Sequence, residues 1–110
     1  MSDYKFRIKT EDIKLLTEAK GYGIVSDKIT IDGEKVGFMY KDTKEDDDDS
    51  GWRFLSGTES EEYVSDPSNQ MFFDLNTIAN YDPAIIPYLS RKKGTELERI
   101  EGSDEFTELT

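Results

Sequence analysis

All three prolines, Pro67, Pro83 and Pro87, fall inside one block, Gly51 to Leu89, and they limit the architectures open to it. A proline has no amide hydrogen to give to a helix or a central strand, so the elements around these positions must be short. The same block holds the only tryptophan, three of the six tyrosines and three of the six phenylalanines. Short elements must therefore build the apolar core, and the more charged flanks must close around it. A chain of 110 residues suits one such core. The core is modest, because hydrophobic and charged residues each make up 35% of the chain. The apolar residues are nonetheless patterned rather than scattered, which argues against disorder.

Ahead of the block, Tyr4, Phe6 and Ile8 alternate with Lys5, Arg7 and Lys9, the period of a half-buried strand. Thr10 reads as an N-cap, and Ile13, Leu16 and Ala19 recur at helical spacing up to a stop at Gly21. Ile24 to Ile31 and Val36 to Tyr40 flank Asp32-Gly33, a turn pair suited to a β-hairpin, with Gly37 marking a bulge or a close backbone approach. Lys41 to Ser50 reads as a solvated acidic loop, since Glu45 to Asp49 are five consecutive carboxylates. Within the block, Trp52 to Leu55 reads as a strand, Glu59 to Val64 as a helical turn, and Met71 to Leu75 as a second strand. Thr77 to Asn80 forms one turn of helix, and Asp82-Pro83 starts a helix that Pro87 cuts short. A basic cluster, Arg91-Lys92-Lys93, precedes a last strand over Thr95 to Ile100, and the acidic tail from Glu101 is expected to fray. The predicted fold is a single α+β domain, a small, mainly antiparallel sheet with a few short helices.

The chain has no cysteine and no histidine, which removes thiolate chemistry, histidine-based triads and ordinary zinc sites. Its formal charge of −11 repels nucleic acid and anionic lipid and favours a basic partner. No apolar stretch approaches the roughly 20 residues of a membrane span. The mixed-charge start MSDYKFRIKTED has no secretory h-region, so a cytoplasmic location is expected.

Asp46, Asp47, Asp48 and Asp49 invite a calcium reading, but adjacent aspartates cannot all face one ion and the EF-hand spacing is absent. A solvated loop that steers a basic partner fits them better. Glu59, Glu61, Glu62 and Asp66 could pair as acid and base, but no nucleophile motif accompanies them and a polar surface turn accounts for them. Trp52, beside Arg53 and Phe54, suits either a core position, which is favoured, or an interface anchor. Tyr63, Tyr81 and Tyr88 can bury their rings with the hydroxyl at a rim, so they too suit core or contact. Capping or loop hydrogen bonds account for Asn76 and Asn80 as well as a ligand would. Gly21 and Gly23 make only a GxG with no helix after it, a weak phosphate-loop signal. The candidate contact set is thus Asp46 to Asp49, Trp52, Tyr63 and Tyr81, with no catalytic, metal or cofactor residues.

GWRFLSG, the acidic EEY, the DP–N turn and above all DLNTIANYDPAIIPYL strongly resemble the immunity-protein-33-like family of bacteria. The segment VSDKITIDGEKVGFMY is similar to that family's opening. The resemblance runs from about Val25 to Gly94, inside a domain placed at residues 1–100 with Glu101 to Thr110 as a flexible acidic tail. Arg91-Lys92-Lys93-Gly94 is more basic than the family's usual exit, and its closing motif is reduced to Leu97-Glu98-Arg99. The resemblance implies a non-enzymatic immunity protein that binds and neutralises a cognate toxin, without catalytic residues of its own, and the acidic charge suits that toxin or another basic protein as the partner. The other reading is a regulatory module that binds a small ligand or a metal.

Overall fold

The computed structural model describes residue 8 and residues 10–109. The sheet is built around β3, Asp49–Leu55, whose first six residues are all buried, as a strand covered on both faces requires. Five more strands complete it: β1 (Tyr22–Ser26), β2 (Phe38–Lys41), β4 (Gln70–Asp74), β5 (Glu96–Arg99) and β6 (Phe106–Glu108). Their order is β4-β1-β3-β2-β5-β6, and every neighbouring pair is antiparallel except β1 with β3. Three short helices join them: α1 (Asp27–Thr30), α2 (Glu61–Ser65) and α3 (Leu75–Tyr81). The predicted α+β class, with a mainly antiparallel sheet, is what the chain adopts.

One face of the sheet carries the core. Val25, Met39, Trp52, Phe54, Leu97 and Phe106 point from five strands towards Leu75, Ile78 and Ala79 of α3 and towards Ile85 and Leu89. Trp52 stacks on Phe54 at 6.2 Å between ring centroids and donates its indole N–H to the Leu89 carbonyl at 3.1 Å. The roof is as short as the prolines demand. Asp74 caps α3, and Asp82 caps the 3-10 segment Pro83–Tyr88 by accepting from the Ala84 amide. The second Asp82 oxygen accepts from the Val36 amide and from Arg99, whose Nε donates to the Val36 carbonyl. The Asp-Pro motif and the closing arginine are therefore two ends of one buried ion pair.

Three sequence expectations fail here. Ile24 to Tyr40 does not form a hairpin, because Ser26 accepts from the Lys28 amide and caps α1 where the first strand should have continued. The Asp32-Gly33 turn instead closes that helix, and β3 inserts between β1 and β2. The expected helix from Thr10 is only the 3-10 turn Thr10–Asp12 followed by chain without regular structure. Asn76 and Asn80, one turn apart on α3, make five hydrogen bonds of 2.7 to 3.1 Å to the backbone of Lys14, Leu16 and Thr17. These bonds satisfy the amides that a helix would have paired internally, and Leu15 is left 76% exposed. The tail does not fray over its middle: β6 pairs with β5, and the Phe106 amide donates to the Tyr88 hydroxyl at 2.9 Å. The expected strand at Tyr4 to Ile8 lies outside the described residues, Ile8 apart.

The close approach foreseen at Gly37 is present. A Cβ there would stand 2.1 Å from the Ser56 carbonyl oxygen, so no larger residue fits without moving the backbone.

Candidate protein-binding face

The other face of the sheet is built by the alternate residues of the same strands. Tyr22 and Ile24 of β1, Phe72 of β4, Arg53 of β3, and Phe38 and Tyr40 of β2 lie on it by register. At one end α2 borders it, where the Gln70 side chain donates to the Val64 carbonyl at 3.0 Å. Phe72 is 65% exposed, whereas Tyr22, Ile24, Phe38 and Tyr40 are half-buried by one another. Tyr22 packs on Phe72 at 5.2 Å and Phe38 on Tyr40 at 5.6 Å. Glu96 and Glu98 of β5, paired opposite Tyr40 and Phe38, are exposed at its far side.

The acidic loop folds over the near side, and the geometry of β3 places it. Five residues of β3, Asp49 to Arg53, stand against only three of β1, Tyr22 to Ile24, so β3 bulges there. Gly51 makes the bulge possible: its φ is +90°, and a Cβ would stand 2.6 Å from the Asp42 carbonyl oxygen. The bulge folds Asp49 back onto Arg53, giving a two-pronged pair at 2.9 and 2.7 Å. Asp49 also accepts from the amides of Gly51 and Glu45, both at 2.8 Å. Arg53, helped by those amides, holds the Asp49 carboxyl well below the usual carboxylate range, and the pair in turn raises Arg53. Arg53 is thereby neutralised within the face it belongs to.

Asp46 is the second anchor. It accepts from the amides of Asp48 and Asp49 and from the Tyr22 hydroxyl at 3.0 Å. Burial, and then the Asp46 bond and the surrounding carboxylates, push the Tyr22 phenol up to about 12, so it remains a donor throughout the neutral range. Asp47 and Asp48 are left exposed at the turn.

The candidate contact residues are thus divided. Asp46, Asp47 and Asp48 border the open face, but Asp49 and Trp52 are 1% and 0% exposed and offer a partner no surface. Tyr63 stands on α2 beside the Ser26 end of β1, with Lys28 5.1 Å over its ring, whereas the acidic loop meets the Tyr22 end. Tyr81 lies on α3, on the roofed side, and its hydroxyl bonds the Ile8 backbone. Tyr22, Phe72 and Tyr40, which dominate the face, were not singled out from the sequence. Their signal is aromatic residues at outward positions of strands whose alternate positions fill the core, and it becomes readable only once strand register is known. Among the described residues no group of three or more acids is placed to hold a metal ion. The arrangement is an aromatic patch with carboxylates at both sides, suited to recognition.

A family model for the Immunity protein Imm33 domain matches residues 23–110. The chain belongs to the Imm33 immunity-protein family. The match begins at Gly23, one residue into β1, and runs through β6, so it takes in all six strands of this Imm33 domain apart from Tyr22, including the strand in its acidic tail. The segment from Lys14 to Thr17 held by Asn76 and Asn80 precedes it. No curated protein and no solved structure matches the chain.

Proposed function

We propose that this Imm33 protein neutralises a cognate bacterial toxin by binding it directly and without catalysis, and that the open sheet face is where the toxin docks. Family membership over residues 23–110 carries the reading. The aromatic face bordered by Asp46, Asp47, Asp48, Glu96 and Glu98 supports a basic toxin surface as the counterpart, in a chain of net charge −11. Aromatic anchors supply contact area at little entropic cost, and like-signed carboxylates around them steer an oppositely charged partner and reject acidic ones.

The test is coexpression with the toxin encoded beside this gene, followed by isolation of the complex and stopped-flow kinetics. Neutralisation and a complex whose association rate falls steeply with salt are expected. Continued toxicity, with no complex eluting, refutes the function. Phe72→Ser is expected to weaken binding at least about tenfold without unfolding the domain, because Phe72 is already mostly exposed. The triple change of Asp46, Asp47 and Asp48 to asparagine is expected to slow association far more than it speeds dissociation. A toxin that binds all these variants as it binds the parent docks elsewhere.

A further inference from the structure

A pocket of about 400 Å³ opens on the roofed side of the sheet, away from the proposed docking face. Lys20, Lys41 and Lys44 line it, over an apolar floor that includes Leu75, Ile86 and Leu89. No carboxylate is among its 11 lining residues, in a chain where acids outnumber bases 25 to 14. Chance placement on this composition would have put two or three acids there. Lys20 and Lys44 make no ion pair with any described residue, although the acidic loop is adjacent to Lys44 in sequence. Lys41 is fixed: its Nζ donates to the Arg91 carbonyl at 2.9 Å and lies 5.6 Å over the Trp52 ring. The Arg91-Lys92-Lys93 turn follows directly after Ser90, another lining residue, with Arg91 paired to Glu108 at 2.9 Å.

Three lysines line one cavity with no carboxylate among the lining residues, so an anion entering it meets positive charge alone. Lysine ammonium groups act as point charges suited to a compact dianion, whereas a planar carboxylate is better matched by the fork of an arginine. Ser50 and Thr17 add neutral lining groups, and the volume falls within the range of small-molecule sites. We propose that this pocket binds a phosphate monoester carrying a compact apolar body, with the phosphate among Lys20, Lys41 and Lys44 and the body over Leu75, Ile86 and Leu89. Thr17, Ala19 and Lys20 form one wall, and that wall precedes the family-matched residues 23–110. Asn76 holds it by accepting from the Thr17 amide at 3.1 Å. The site is therefore a property this chain adds to the family domain, through the two asparagines that pin its leading segment.

The full chain is titrated with phenyl phosphate, benzoate and inorganic phosphate at constant ionic strength. Amide shifts by NMR and the emission of Trp52, the only tryptophan, report binding. Saturable binding of phenyl phosphate is expected, tighter than inorganic phosphate because the apolar floor contributes, and tighter than benzoate because of the second charge. Lys20→Gln with Lys44→Gln, both exposed and so tolerated by the fold, is expected to weaken it about tenfold or more. Lys35→Gln, paired with Asp104 outside the pocket, is expected to leave it unchanged. No saturable binding up to about 5 mM, or equal losses in the two variants, overturns the proposal. Benzoate binding as tightly as phenyl phosphate overturns the phosphate assignment. No toxin enters this measurement, so its failure is separate from any failure of the immunity reading.

Discussion

Replacing Asp49 by alanine removes the carboxylate that holds the acidic loop to the sheet, and its cost can be worked from the geometry. The side chain is fully buried and accepts four hydrogen bonds of 2.7 to 2.9 Å, two of them from a guanidinium that is itself only 9% exposed. Breaking a buried pair by deleting one partner typically costs about 3–5 kcal/mol, because the other charge is left desolvated and unpaired. Here Glu45 stands 3.9 Å from Arg53 and is 66% exposed, so it can move in and recover up to about 1 kcal/mol, the worth of a screened surface pair. The expected loss is about 2–4 kcal/mol, a large share of the roughly 5–15 kcal/mol that a domain of this kind has in total. Urea unfolding followed by Trp52 emission reads it directly, as a lower midpoint at unchanged slope. Replacing both partners by apolar residues, Asp49→Leu with Arg53→Met, is expected to regain part of the loss, because no orphan charge remains although the Gly51 and Glu45 amides lose their acceptor. A single-variant loss under about 1 kcal/mol, or a double variant no more stable than the single, refutes the account of this pair.

The same carboxylate makes stability depend on pH. Its folded-state value lies below its unfolded value of about 3.9, so its contribution is fully present above that value and is lost as pH falls from about 4 towards the folded value. Asp49→Asn is expected to flatten the acid limb of the stability curve. An unchanged limb, measured by urea midpoints between about pH 5 and pH 2.5, would assign acid sensitivity to other groups. Replacing Asn76 and Asn80 together by alanine is expected to release the leading segment alone. Hydrogen exchange at the amides of Lys14, Leu16 and Thr17 rises while β1 and β3 stay protected. Exchange that rises across the sheet as well would mean the segment is part of the cooperative core.

Much of the local chemistry was legible because it depends on neighbours in sequence. Asp82 before Pro83 caps the next turn wherever it sits, and the alternation from Trp52 to Phe54 puts both rings on one side of any strand. Where two local signals competed, pattern reading chose wrongly. Ile29, Thr30 and Ile31 favour a strand by side-chain type, but the Ser26-Asp27 cap and the packing of Ile29 in the core made a helical turn of them. The segment from Ile13 to Ala19 carried a helical stripe, yet five bonds from two asparagines more than 55 residues away outweighed it. No window on the sequence contains both sets of residues.

The candidate site divides along the same line. The charge, the absence of histidine and cysteine, the shortness of the elements and the family to which they belong follow from residue type and order alone. Which carboxylates face solvent follows from long-range folding. Asp46 and Asp49 are three residues apart in an unbroken acidic run, and one lies at the surface while the other is sealed against Arg53. The reason is Gly51, whose left-handed backbone bends β3 so that Asp49 turns inward and Asp47 and Asp48 turn out. Likewise, insertion of β3 between β1 and β2 aligned Tyr22, Phe72 and Tyr40 on one open face, a grouping fixed by long-range strand pairing and not by spacing along the chain.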